Sequence, residues 1–211
     1  QSFPFPSVHE TEALRAPGHL LVTAPTGSGK TEAVMLPLVA SLDEGVDTAA
    51  EIRRVRVLYL TPVRALADAQ AERVRAMAEA LDVRARVEVR TGDTTPTQRA
   101  KIRRAPPEVL VTTPETLAVM LATDTRDILD AVEHVVLDEA HLLAAGKRGA
   151  LLSVTLETLA ALLRLRGRPA PRRLALSATA RPLADLAAWV APDARKCCST
   201  ASISWRAAVL F

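Results

Sequence analysis

The chain has 211 residues, 49% of them hydrophobic and 24% charged, with a net charge of +3. That is enough apolar material for a packed core, and the mild positive balance permits a polyanion partner without demanding one. No apolar run is long enough to span a bilayer, no signal-peptide layout opens the chain, and the adjacent Cys197 and Cys198 have a spacing unsuited to zinc, so the expectation is a cytoplasmic, reducing setting with no membrane.

The first predicted strand, Leu20–Ala24, runs into "APTGSGKT" and then a helix at Lys30–Leu42. Strand, glycine loop and helix in that order form a phosphate-binding loop, with Thr26, Gly27, Ser28, Gly29, Lys30 and Thr31 as nucleotide-binding candidates. Gly27 and Gly29 let backbone N–H groups turn inward around a β-phosphate. Lys30 offers a point charge to the β- and γ-phosphates, Thr31 a hydroxyl to Mg²⁺, and the helix N-terminus its dipole. The usual pattern has a glycine where this chain has Ala24. A plain glycine turn capped by threonine competes with this reading and accounts for fewer of its parts. A nucleoside triphosphate site is expected.

Further strands are predicted at Val55–Thr61, Ala85–Arg90, Val109–Thr112, Val132–Leu137 and Leu174–Ser177, and further helices at Ala65–Leu81, Pro114–Ala122 and Leu151–Leu165. Thr95-Pro96-Thr97-Gln98 has capping-box spacing, and Thr113-Pro114 reads as an N-cap followed by proline at the first helical position. Leu152, Leu156, Leu159 and Leu163 form a core stripe on the last of these helices. Pro106-Pro107 and 166–171 read as loops. The alternation predicts a doubly wound α/β domain over residues 1–192, with a mostly parallel sheet and helices on both faces. The stretch 193–211 has no clear period and reads either as an edge strand or as a truncated or mis-translated end.

"HVVLDEAHLL" (134–143) drives a buried-type strand into two adjacent acids. Asp138 as a simple helix cap is one reading. With a phosphate loop upstream another fits better: Asp138 ends a neighbouring parallel strand and holds Mg²⁺ together with Thr31, while Glu139 orients the attacking water. The catalytic candidates are therefore Lys30, Asp138 and Glu139.

With "APTGSGKT" and "DEAH" in one chain, "SAT" at Ser177–Thr179 completes an order that resembles the first RecA-like domain of superfamily 2 DEAD/DEAH-type helicases. "TPVRALADAQ", "RTGDT" and "TTPETL" resemble the motifs between them. "GKRGALLSVTLETLAALL" and "RLALSATARPLADLA" are most similar to the Lhr (large helicase-related) family. The resemblance covers about Leu20 to Val190. It implies a RecA-like P-loop NTPase that uses ATP and Mg²⁺ to move on single-stranded DNA or separate DNA–RNA hybrids. It also implies coupling of hydrolysis to motion through His141, Ser177 and Thr179. Nucleic-acid contacts are implied at Thr61, Arg64, Thr91, Gly92, Thr113 and Pro114.

Helix N-termini at one sheet edge would present N–H groups to backbone phosphates, although the prolines there serve equally well just to start helices. Glu115 in a first turn opposes a close phosphate, and Lys147-Arg148 reads by default as a solvated loop. Such helicases usually read adenine with an upstream glutamine; "FPSVHETEAL" has His9 or Glu10 near that place, and Gln1 is distant. The resemblance implies a second RecA-like domain with an arginine finger, for which these residues contain no candidate. The rival readings are a lone nucleotide- or partner-binding module without motor activity, and another superfamily 2 motor such as a CRISPR-associated helicase-nuclease or a restriction translocase.

Overall fold

In the computed structural model the described residues are 18–42, 54–178 and 182–192, with the backbone of 199–201 and 208–210. The expectations for Gln1, His9, Glu10, Thr179, Cys197 and Cys198 lie outside them.

The parallel strands are β1 (Leu20–Thr23), β2 (Val57–Leu60), β3 (Val87–Arg90), β4 (Val109–Thr112), β5 (His134–Leu137) and β6 (Arg172–Ser177). Two short strands, β7 (Ser199–Ala201) and β8 (Ala208–Leu210), extend the sheet in the order β3-β4-β2-β5-β6-β1-β8-β7. β8 pairs antiparallel with β1, and β7 pairs antiparallel with β8.

The helices are α1 (Lys30–Ser41), α2 (Arg64–Ala80), α3 (Pro96–Arg104), α4 (Pro114–Leu121), the single turn α5 (Ala140–Leu143), α6 (Gly146–Leu165) and α7 (Leu183–Val190), with a 3-10 helix at Asp124–Leu129. Alternate strand residues feed two cores. Leu58, Leu60, Leu110, Val135, Leu137 and Ala175 pack under α4, α6 and α7, where the predicted leucine stripe of α6 is buried. Val57, Tyr59, Val109, Val111, Val136 and Leu174 pack under α1 and α2. A strand buried on both faces has no polar side to alternate with, which is why these segments read as continuous apolar runs.

α6 begins five residues earlier than its apolar stripe indicates. Its first turn, Gly146-Lys147-Arg148-Gly149, is polar and is held by packing rather than periodicity. A side chain at Gly149 would place its Cβ 2.0 Å from the Ala144 carbonyl oxygen, so only glycine fits where α5 turns into α6. Trp189 of α7 donates its indole N–H to the Gly149 carbonyl at 3.4 Å. Gly149→Ala should force the backbone apart and lower stability by about 1–3 kcal/mol. Thermal and urea melts read this as a drop of a few degrees with m unchanged; a variant as stable as the parent contradicts the close approach.

Candidate functional site

Three parallel strands bring the predicted chemistry to one edge. The register Thr23↔Ser177 and Leu137↔Ala175 sets β1, β6 and β5 side by side, all ending at the same edge of the sheet. β6 lies between the loop strand and the acid strand, so Asp138 ends the next strand but one from the loop rather than the neighbouring strand expected from sequence. The intervening β6 supplies Ser177. Ligands of open α/β sheets bind in the crevice beyond such strand ends.

The loop has the predicted conformation. Gly27 (φ 77°) and Gly29 (φ 87°) are both left-handed, a region L side chains seldom occupy. Ala24 has no such requirement. It is buried, keeps a negative φ, donates its N–H to the Ser177 carbonyl and turns its own carbonyl to Lys30, so the first glycine of the common pattern is dispensable here. The Lys30 ammonium donates to the carbonyls of Ala24 (2.7 Å) and Pro25 (2.9 Å) inside the loop. Burial draws its pKa below the usual lysine value, and the charges of Glu139 and Asp138 act in the opposite direction. Thr26 and Gly27 form the exposed crest, Ser28 and Gly29 are partly covered, and Lys30 and Thr31 are buried.

Across the cleft, Asp138 is buried and accepts the Glu139 N–H at 3.0 Å. Burial holds its carboxyl above the usual range. Glu139's charge adds to that rise, while Tyr59, the Glu139 N–H and Lys30 oppose it. Glu139 adopts φ 46°, ψ 52°, a left-handed conformation that costs a non-glycine residue energy and is typical of functional positions. One of its carboxylate oxygens is buried with no hydrogen-bond partner among the described residues and lies 3.5 Å from His141 Nδ1. The same His141 nitrogen is 2.9 Å from Ser177 Oγ. Two of the three predicted coupling residues therefore touch.

The donor set fits Mg²⁺. A hydroxyl (Thr31) and a carboxylate (Asp138) border one buried phenol, Tyr59, and buried oxygens of Ser28, in the loop, and of Glu139 have no partner among the described residues. Mg²⁺ takes one or two carboxylates plus phosphates and water, not a caged set of protein ligands.

A second feature lies at the ends of β3 and β4: a pocket of about 250 Å³ whose lining includes Arg64, Arg90, Thr91, Gly92, Arg99 and Thr116. Of the predicted nucleic-acid contacts, Arg64 and Gly92 are exposed, whereas Thr61, Thr91, Thr113 and Pro114 are buried. The Thr61 hydroxyl turns to the Val63 carbonyl, and the Thr113 hydroxyl to Thr116. Thr113 caps α4 without a side-chain hydrogen bond to the helix, whereas Thr95 and Gln98 form the full predicted capping box on α3.

Sequence reasoning passed over Arg90 and Arg99, although Arg90 opens the quoted "RTGDT". Arg90 is buried. Its Nη2 reaches Thr125 Oγ1 at 3.4 Å, and its Nε and Nη1 have no partner among the described residues. Burial, then the Arg99 charge, lowers its pKa. Arg99 is held on the Thr94 and Gly92 carbonyls, and Arg64 on Asp93. Glu115, whose charge alone would oppose an anion, is paired with Arg148 at 2.5 Å. Burial acts to raise Glu115, but the hydrogen bond and charge of Arg148 hold it below the usual carboxylate range. The pocket presents an under-compensated guanidinium to any phosphate that enters it.

The DEAD/DEAH box helicase family matches residues 9–186. The chain is 42% identical over 190 residues to the Lhr helicase/uracil glycosylase of Escherichia coli K12, covering 83% of this chain and 12% of that protein. It is 39% identical over 180 residues to the ATP-dependent helicase Lhr-Core of Methanothermobacter thermautotrophicus, covering 80% of this chain and 20% of that protein. Its fold superposes on the structure of Mycobacterium smegmatis helicase Lhr bound to ssDNA and AMP-PNP with a TM-score of 0.72 at 36% identity, over 89% of this chain and 25% of that one. The chain thus spans a minor part of these longer relatives and shares their RecA-like fold. Over most of its length, this chain belongs to the DEAD/DEAH box helicase family.

Proposed function

We propose that this chain is the nucleotide-binding motor domain of an Lhr-like helicase, which binds ATP with Mg²⁺ at the Lys30–Asp138 cleft and tracks the phosphates of single-stranded DNA or a DNA–RNA hybrid. The observation that carries the reading is the convergence of Lys30, Asp138, Glu139, His141 and Ser177 at the ends of three parallel strands. The ssDNA and AMP-PNP held by the M. smegmatis relative support it.

Lys30 exchanges a loop carbonyl for a β- or γ-phosphate oxygen without leaving its place. Thr31 and Asp138 would hold Mg²⁺, which would supply positive charge to offset that of the phosphates. Glu139, turned into the cleft by its left-handed backbone, orients a water and draws its proton. His141 stands against both Glu139 and Ser177, so a change at the acid is felt by the segment that follows β6.

Lys30→Ala should weaken binding of a fluorescent ATP analogue by about 1.5–3 kcal/mol, roughly ten- to a hundredfold. Asp138→Asn should remove the Mg²⁺ dependence of that binding, whereas Glu139→Gln should retain it and lose turnover. Identical behaviour of the two acid variants contradicts their separate roles. Asp138 also predicts a pH effect of known sign. Its folded pKa is raised, so the stabilising protonated form is present below the unfolded carboxylate range and is lost as pH rises through the folded value. Without metal, Asp138→Asn should raise the melting temperature at neutral pH, and the gain should vanish on acidification.

The pocket makes a separate prediction. Arg90→Gln and Arg99→Gln should each weaken single-stranded DNA binding and flatten its log–log salt dependence by about 0.7 per lost phosphate contact. A weaker affinity with the slope intact means that neither guanidinium meets a phosphate.

A further inference from the structure

Tyr59 is fully buried on β2, and its hydroxyl has no hydrogen-bond partner among the described residues. Phenylalanine would fill the same space without sealing a polar group away from water, so this hydroxyl needs a partner in some state of the protein. Its surroundings restrict the choice. Tyr59 pairs in register with Val136, and Asp138 stands two residues further along the same face of β5. Two strand residues rise about 6.6 Å, within the length of a tyrosine side chain leaning along the sheet. The phenol borders Asp138 and Thr31, and the Arg73 charge also acts on it. Arg73 is itself tied to Glu32, in the first turn of α1, at 2.6 Å. Arginine has no acceptor to offer, so the phenol's O–H has the carboxylate and the Thr31 oxygen to donate to. A neutral phenol carries one O–H to donate, and these two oxygens are the acceptors beside it.

Building on the nucleotide-site reading, we propose that Tyr59 is a positioning residue for the metal-bearing carboxylate: its hydroxyl donates to Asp138 from beneath and fixes the carboxylate plane so that Asp138 and Thr31 face the same cation. Glu139 N–H already holds Oδ1. Tyr59 supplies the second point that stops the carboxylate rotating toward the Lys30 ammonium, and it does so without touching nucleotide or water.

The test is a titration of fluorescent ATP analogue into the purified chain, in EDTA and in Mg²⁺, for the parent, Tyr59→Phe, Asp138→Asn and the double variant. Val136→Ala serves as a packing control on the same face, and melting curves verify folding. Tyr59→Phe should leave affinity in EDTA unchanged and reduce the gain given by Mg²⁺ about three- to tenfold. That loss should disappear in the Asp138→Asn background, because the two residues act through one contact. An undiminished Mg²⁺ gain in Tyr59→Phe, an equal loss in EDTA, an equal loss in the Asp138→Asn background or the same loss in Val136→Ala each overturns the role of Tyr59. A parent chain with no Mg²⁺-dependent binding overturns the nucleotide site and this inference with it, so the two failures are distinguishable.

Discussion

The parallel register of β5, β6 and β1 is the constraint on which the site depends. Leu137 opposite Ala175 and Ser177 opposite Thr23 carry Asp138, Ser177 and the glycine loop out of the sheet at one edge. Side chains alternate along a strand, so a slip of one residue would turn Asp138 to the opposite face and Tyr59 away from it. Burial on both faces forbids that slip, because Leu137 and Val136 would exchange cores. The same apolar packing that stabilises the fold therefore sets the spacing of the chemistry.

What the packing holds in place is poorly satisfied on its own. Lys30 and Asp138 are both buried, each is shifted toward its neutral form, and Glu139 sits in a backbone conformation that disfavours it. Arg90 repeats the theme as a buried cation beside a second one. Such local losses concentrate where a ligand completes the electrostatics. The two unsatisfied places lie at the ends of strands of one sheet, the first on β1, β5 and β6 and the second on β3 and β4. β2 runs between β4 and β5, and its Tyr59 stands beneath Asp138.

Much of this is legible in the residues. Strand–glycine–lysine order makes the phosphate loop readable, and short apolar runs make the central parallel strands readable, whereas β3 (Val87–Arg90) alternates apolar residues with Glu88 and Arg90. Boundaries are less so. The polar first turn of α6 is held by the Gly149 contact and Trp189, which no local pattern announces. Strand order is not written locally either, so β6 between the loop strand and the acid strand emerges only from the fold. Thr61 and Thr113 carry the look of outward hydroxyls but close onto neighbouring Val63 and Thr116. Arg90 looks like an ordinary strand-end arginine until its burial is seen, with no carboxylate paired to it among the described residues. Tyr59 looks like core until its buried hydroxyl is found without a partner on the face that carries Asp138.

The most direct measurement of the central claim is amide hydrogen exchange across the three strand ends, with and without a non-hydrolysable ATP analogue and Mg²⁺. If one ligand bridges them, exchange should slow together in residues 25–31, in 138–141 and around Ser177. With the analogue in EDTA, protection should shrink to the loop alone. Protection that stays in the loop when Mg²⁺ is present, or that arises away from all three segments, would contradict a shared nucleotide–metal site.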